Sequence, residues 1–498
     1  MTATEPVSAT VSPEELYAFH LTGRGLDHLR VGPIQPLAAT TVPAPPNETE
    51  FQAAALPVLY GAAFTANRAA AKARFLRELR QCVTDLQDLL AVDDAKLAPP
   101  SQTQVAASLG ADSSRFLSVS GLMAIWARRA GKPAVLALER RERCRAALGV
   151  LETALRTQQD SPAFWLFHAE QDIPSLTAVG GRSQQNPDPS SHALAFCEQQ
   201  LQALTPTLRA MRIARLEAVS AWDPALHETA LQRLDWQTAE PHELAAMPGV
   251  IALEAAARIS LSSFSRVLRS DLPVQILIAH AEPDDADPGA IARAHHRAFV
   301  LQTSLARPDH LSRGFSEMAQ ILAPAVAVVA VPSPDADPAT AWREAVLLAA
   351  SQAWPLYRYA PDRDGEWADR FEICDATSDG FEVLILATRL HNDLRVLPSD
   401  TSNLELTDLA DYLKKPQSSA TLPCLIVTDA QGTTHRLMVS RRVVRLCQDR
   451  SRAWEMLAAT PATVAEGDMT QIRQAAAKEA YLRVVALLAD PEKLVRRP

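Results

Sequence analysis

The chain has six cysteines in 498 residues, and no two of them stand in a CxxC pair. Local zinc and iron–sulfur signatures are therefore excluded, because both metals take their thiolates from closely spaced cysteines. Scattered single cysteines (Cys82, Cys144, Cys197, Cys374, Cys424 and Cys447) also suit a reducing compartment better than a disulfide framework. Lysine is nearly missing, with seven residues, and the net charge is −9. An acidic, lysine-poor surface argues against nucleic acid and against anionic membranes. No apolar run approaches the twenty or so residues of a membrane span. The N-terminus lacks a basic region followed by an apolar core, so no secretory leader is expected and a cytoplasmic location is. There is no GxSxG for a serine hydrolase and no P-loop for a nucleotide kinase. No internal repeat is present.

Hydrophobic residues make up 47% of the chain and charged residues 21%, which is enough apolar surface for a sizeable core and two to four domains. Basic runs such as Arg140–Arg145 and Arg441-Arg442 read as solvated helix faces or strand ends. Residues 1–50 are rich in Pro, Thr and Ala, and VPAPPNETE reads as an exposed linker. Ser12-Pro13-Glu14-Glu15 is a helix start, so this arm is expected to dock. Phe75, Leu79, Cys82, Leu86 and Leu90 form a helical stripe that should bury against the domain. Ala163–His168 reads as a buried strand, with His168 a satisfied, half-buried histidine. Gly180-Gly181-Arg182-Ser183 reads as a turn, and without GxGxxG its phosphate signal is weak. Leu194–Trp222 is mostly helical.

The most informative stretch runs from Asp271 to Pro361. Val274–His280 is a short apolar run led in by a proline, and reads as a buried strand. Ile291, Ala294, Ala298, Leu301 and Leu305 recur at helical spacing, so a helix is expected there, broken by Pro308 and followed by a second over Leu311–Leu322. Ala325–Val331 is again continuous and β-branched. A strand–helix–strand crossover makes the two strands parallel. Trp342, Val346, Ala349 and Ala353 share one face of a further helix that stops before Pro355.

That order, with QTSLARPDHLSRGF between the strands, PSP after the second strand and AWPLYRYAP after the next helix, resembles the thiamine-diphosphate domain of pyruvate:ferredoxin (2-oxoacid) oxidoreductases. Trp354, Pro355, Leu356, Tyr357, Arg358, Tyr359 and Pro361 match the hexapeptide and following proline typical of that family. The similarity covers about a hundred residues well and about two hundred and fifty weakly. The bottom-up reading of Trp354, Tyr357 and Tyr359 is packing and hydrogen bonding at the end of a helix.

The resemblance implies an α/β fold, with a thiamine-diphosphate-binding-like parallel sheet covered by helices. A helical N-terminal arm (1–104) precedes that domain (105–365), and a small α/β C-terminal unit (366–498) follows it. In the C-terminal unit, Phe381–Ala387 reads as a strand and Leu404–Leu413 as a helix. Pro423–Val427 and His435–Val439 read as a hairpin about Gly432, and Val443–Leu457 and Gln471–Leu488 as helices.

The family uses GDG after a strand, whose Asp binds the metal that neutralises the diphosphate, and an Asn further on. Counted back from Ile276-Leu277-Ile278, GDG falls on Ala252-Leu253-Glu254. Leu253 cannot bind a metal, and Glu254 is one position off. The loop matching the ligand Asn is AEPDDADPG, with oxygens in Glu282, Asp284, Asp285 and Asp287 but no Asn. The candidate cofactor residues are thus Glu254, Glu282, Asp285 and Asp287, against the plainer reading of a solvent-exposed acidic turn.

The isolated chain is expected to hold no cofactor and no iron–sulfur cluster. Thiamine diphosphate and magnesium would enter with a partner, either a pyrimidine-domain or a ferredoxin-type oxidoreductase subunit. The sequence is compatible with an oligomer. Three functions compete: a degenerate subunit beside an active partner, an active 2-oxoacid oxidoreductase component with altered metal ligands, and an unrelated α/β interaction protein.

Overall fold

The computed structural model describes residues 11–30, 55–97, 101–128, 135–170, 173–281, 287–331, 354–365, 367–374, 392–397, 405–414, 421–428 and 433–458, together with Trp342, Ala345, Val346, Leu348 and Ala349. Among them no helix is long and apolar enough to cross a membrane.

Helix α1 (Pro13–Thr22) starts where Ser12 and Glu15 satisfy each other's backbone amides, and Gly23 ends it in the left-handed region at φ +69°. Helix α2 (Leu56–Leu97) runs 42 residues, about 63 Å at the usual rise. Helices α3 (Gln102–Phe116), α4 (Val119–Arg128) and α5 (Leu138–Asp160) follow. The sheet then begins with β1 (Phe164–His168) and β2 (Gly181–Gln185). Next come α6 (Pro189–Ala218), α7 (Pro224–Gln232), α8 (Pro241–Ala245) and β3 (Gly249–Ala255). The chain continues through α9 (Leu261–Arg269), β4 (Val274–His280), α10 (Pro288–Ala294), β5 (Phe299–Ser304), α11 (Pro308–Met318) and β6 (Ala325–Ala330). Strands β7 (Tyr357–Tyr359) and β8 (Phe371–Ile373) complete the main sheet.

The main sheet has eight strands in the order β2-β1-β3-β4-β6-β5-β7-β8. The first six are parallel; β7 and β8 pair antiparallel at one edge. The architecture is α/β, a mostly parallel sheet flanked by helices. β4 and β6 are parallel neighbours, with Ile276 opposite Val326 and Ile278 opposite Val328, as expected, although the connection between them also contains β5.

The expected helix through Ala298, Leu301 and Leu305 is corrected. Helix α10 stops at Ala294, His296 turns at φ +58°, and β5 then runs beside β6. All six residues of β5 are buried. A strand covered on both faces has no alternation to betray it, and its apolar residues fell on helical spacing by coincidence. Gly180-Gly181 is likewise not only a turn: Gly180 is left-handed at φ +76°, and Gly181 opens the polar edge strand β2.

Two cores meet along α2. Leu56, Tyr60 and Phe64 pack on the sheet, while Phe75, Leu79, Cys82, Leu86 and Leu90 pack against α5 and α6, so the predicted stripe is buried. The second half of the matched hexapeptide forms β7, which lies between β5 and the edge strand β8. Trp354 Nε1 donates to the Thr303 carbonyl at 2.9 Å, and Arg358 lies between Glu317 and Glu372.

A four-stranded sheet in the order β10-β11-β12-β9 forms the C-terminal unit. Its elements are β9 (Leu394–Val396), β10 (Leu406–Asp408), α12 (Leu409–Lys414), β11 (Leu422–Thr428), β12 (Thr434–Val439) and α13 (Arg441–Ala458). The predicted hairpin strands pair antiparallel, Leu425 opposite Leu437. The expected helix from Leu404 begins only at Leu409, because β10 pairs parallel with β11 first. The predicted strand Phe381–Ala387 and helix Gln471–Leu488 lie outside the described residues.

The N-terminal arm docks on this unit. Leu16 and Phe19 enter a core with Leu397, Leu422, Cys424 and Met438. His20 Nδ1 donates to the Val439 carbonyl at 2.8 Å. Arg395, 1% exposed, stacks 4.4 Å from the Phe19 ring centre and donates to the Gly25 carbonyl. Phe19→Ala should therefore lower stability by about 3–5 kcal/mol, since it empties a packed site and uncovers a buried guanidinium. Hydrogen exchange should show that loss in the amides of β9, β11 and β12, and unchanged protection there would refute the docking.

Candidate functional site

In an open parallel sheet, ligands bind beyond the carboxyl ends of the strands, where the strand order reverses. That reversal lies between β1 and β3, since β2 is on one side of β1 and β3 on the other. His168 ends β1 and Glu254 lies near the end of β3, while α6 and α9 point their N-termini at the same edge.

Local sequence fixes the geometry. Asp188-Pro189 starts α6 with an N-cap and a proline at the first helical position. Asp188 Oδ1 accepts from Ser191 N at 3.0 Å, and Asp188 Oδ2 accepts from Ser263 Oγ on α9 at 2.6 Å. Glu254 Oε1 accepts from Ser190 N at 3.0 Å and from Ser190 Oγ at 2.6 Å. Glu254 is 7% exposed. Burial pushes its carboxyl up; the two Ser190 bonds oppose that shift, and the nearby Asp188 charge adds to it. The first-turn amides of α6, the natural seat for an anion, are thus occupied by the chain's own carboxylates.

Leu253 and Asp287, the other predicted positions that are described, take no part in this hydrogen-bond network. Leu253 is 6% exposed and belongs to the main core, between His168 on β1 and Leu277 on β4. Asp287 caps α10 by accepting from Ala290 N at 3.0 Å, and stands 4.0 Å from Arg450 of α13. Glu254 and Asp287 therefore serve different helices and share no hydrogen-bond partner. Glu282, Asp284 and Asp285 lie outside the described residues. His168 Nδ1 donates to the Glu170 carbonyl at 2.8 Å, a satisfied histidine as expected. Sequence reasoning missed Asp188, Ser190 and Ser263. The Asp-Pro pair at 188–189 was the available signal, an N-cap followed by a proline.

A second cluster, Glu78, His242 and Glu243, has the donor types of a metal centre. Its oxygens are already taken. Glu243, fully buried, holds Arg212 through both oxygens at 2.8 and 2.9 Å. Glu78 takes Arg74 at 2.8 Å, Arg215 at 2.7 Å and His242 Nε2 at 3.1 Å. Burial opposes ionisation of Glu78, but the bonds from Arg74 and His242 outweigh it and hold the carboxyl down to about 2. Glu78, Glu240 and Glu243 face Arg74, Arg212 and Arg215, three charges against three, so no negative field remains to attract a cation.

No protein-family model matches the chain, and no curated protein matches it.

Two outcomes follow from the buried titrating groups. Glu254→Gln keeps an oxygen for Ser190 and removes a charge that burial disfavours. A raised carboxyl destabilises the fold as pH rises past the unfolded value, so this variant should be at least as stable as the parent at pH 7. Glu254→Ala should cost about 1–3 kcal/mol, because it strands the amide and hydroxyl of Ser190. Urea midpoints of the two variants separate these cases, and equal losses would contradict the assignment.

His310 gives the opposite sign. Its Nδ1 meets Thr303 Oγ1 at 2.9 Å, and burial, with Arg358, Arg313 and Arg307 nearby, pushes the ring down to about 4. The unfolded chain takes the proton near pH 6.5, so this group withdraws stability between pH 6.5 and about 4, to a total of about 3 kcal/mol. His310→Gln should flatten the fall of the urea midpoint over that window; an unchanged slope would exclude the mechanism.

Proposed function

We propose that this chain is a degenerate relative of the thiamine-diphosphate domain of pyruvate:ferredoxin oxidoreductases, acting beside a partner subunit that carries the chemistry. The observation that carries this reading is the Glu254–Ser190 contact: the one acid next to the family's metal-binding position is spent on the start of α6. The parallel pairing of β4 with β6 supports the resemblance.

The residues present do not fit magnesium thiamine diphosphate. A hard cation bridging a diphosphate needs several oxygen ligands in fixed positions. Leu253 offers none and packs in the core, while the Oε1 of Glu254 is engaged. Two carboxylates at the α6 N-terminus would also repel a diphosphate from the amides best placed to receive it. An iron–sulfur cluster fits no better. Five of the six cysteines are buried, Cys374 is half-buried, and burial pushes every thiol up, away from the thiolate a cluster requires. Reaction steps therefore belong to the partner, a pyrimidine-domain or ferredoxin-type subunit, and this chain supplies a folded surface.

Calorimetry tests the reading. The full chain titrated with magnesium and thiamine diphosphate should give no saturable heat, and a reconstituted complex with the partner subunit should retain activity when this chain carries Glu254→Gln. Micromolar binding by the chain alone, abolished by Glu254→Ala, would overturn the proposal and favour an active component with altered ligands.

A further inference from the structure

Helices α5 and α6 leave a groove of about 530 Å³ between them on the outer face of the helical layer. Ala146, Gly149, Thr153 and Thr157 form one wall, and Ala203 and Pro206 the other. None of its fourteen lining residues is charged, in a chain where 21% of residues are. Two of them are poor choices for a helix interior. Pro206 lacks the N–H that would bond one turn back. Gly149 lies mid-helix, and a Cβ added there would meet no atom within 4 Å. Packing inside the chain therefore gives no reason for a glycine at 149, where alanine would hold the helix better. Close approach of another backbone does give one.

The exposed residues around Gly149 say which backbone. Glu142 and Arg156 stand two turns before and two turns after it, on the same face of α5. Arg145 and Glu152 flank it one turn away. Along the helix the charges read minus, plus, minus, plus about a neutral centre. Glu152 accepts from Gln87 of α2 at 2.9 Å; Glu142, Arg145 and Arg156 form no ion pair among the described residues. Turned end for end about Gly149, the pattern is its own complement.

We infer that the α5 face is an isologous interface with a second copy of this chain, the two α5 helices crossing antiparallel at Gly149. The two-fold axis sets Glu142 opposite Arg156 of the second copy, twice by symmetry, and brings Arg145 within one residue of Glu152 of the second copy. The small residues Ala146 and Thr153 let the helices approach closely at the crossing, and the ridge of the second α5 lies along the uncharged groove. The result is a four-helix layer made of α5 and α6 from each copy.

Light scattering on the full chain should give twice its 54.1 kDa mass. Glu142→Arg sets arginine against arginine at both symmetric pairs, and should weaken the dimer by about tenfold or more. Glu142→Arg combined with Arg156→Glu should restore it, which a merely misfolded variant would not do. Gly149→Leu puts a side chain where the two backbones meet and should weaken the dimer, while the chain itself has room for it. A monomeric parent overturns the inference, including the case in which another helix of the same chain covers the groove. A dimer indifferent to the charge swap or to Gly149→Leu also overturns it.

Discussion

A carboxylate seated on the first-turn amides of a long helix ties this fold together. Helix α6 has 30 residues, and its N-terminus carries free N–H groups and the positive end of the helix dipole. Glu254 reaches it from β3, and Asp188 caps it while also holding Ser263 of α9. Three elements are thereby locked at the reversal of strand order. The same contact closes that edge electrically. An anion arriving there would have to displace a buried carboxylate and meet a second one, so the place where such sheets ordinarily bind ligands is satisfied from within.

The device recurs in the helical layer. Glu217, fully buried, accepts from Arg140 and Arg143, and Arg143 also stacks over Trp222 at 4.2 Å. Glu243 accepts the fork of Arg212. A guanidinium can hold both oxygens of a carboxylate in one plane, and an ammonium cannot. The scarcity of lysine thus has a structural counterpart in buried carboxylates that need a planar partner. Buried pairs of this kind add little net stability, because desolvation offsets attraction, but breaking one strands a charge. They fix how α5, α6 and α8 sit against α2.

How much of this could be read from the sequence depended on periodicity. β4 and β6 were legible because unbroken apolar runs bounded by prolines leave few alternatives, and the α2 stripe because 3.6-residue spacing persisted over four turns. β5 was not, since a strand buried on both faces shows no period of two, and Ala298, Leu301 and Leu305 matched a helix. β2 was missed because an edge strand of Gly, Arg, Ser and Gln carries almost no apolar signal. At the site, Glu254 was identified but its role was not. Sequence gives an acid near a strand end; that its oxygen meets Ser190, sixty-four residues away in the chain, is a long-range fact. The interface face of α5 was invisible too, because an exposed glycine in a helix means nothing until its surroundings are known.

The hexapeptide that suggested a family and the positions that would carry its chemistry obey different constraints. Trp354, Tyr357 and Tyr359 fill the core at the sheet edge, and Arg358 bridges two acids there, so these residues are required by packing whether or not a cofactor binds. Leu253 packs in the same core, between β1 and β4. A leucine buried there contributes about 1.5–3 kcal/mol relative to exposure, while a carboxylate at the same depth without a cation would cost several. An apolar residue is thus favoured at this depth, and a lone carboxylate is not. An acid could replace Leu253 only together with a cation and further oxygen ligands that neutralise it.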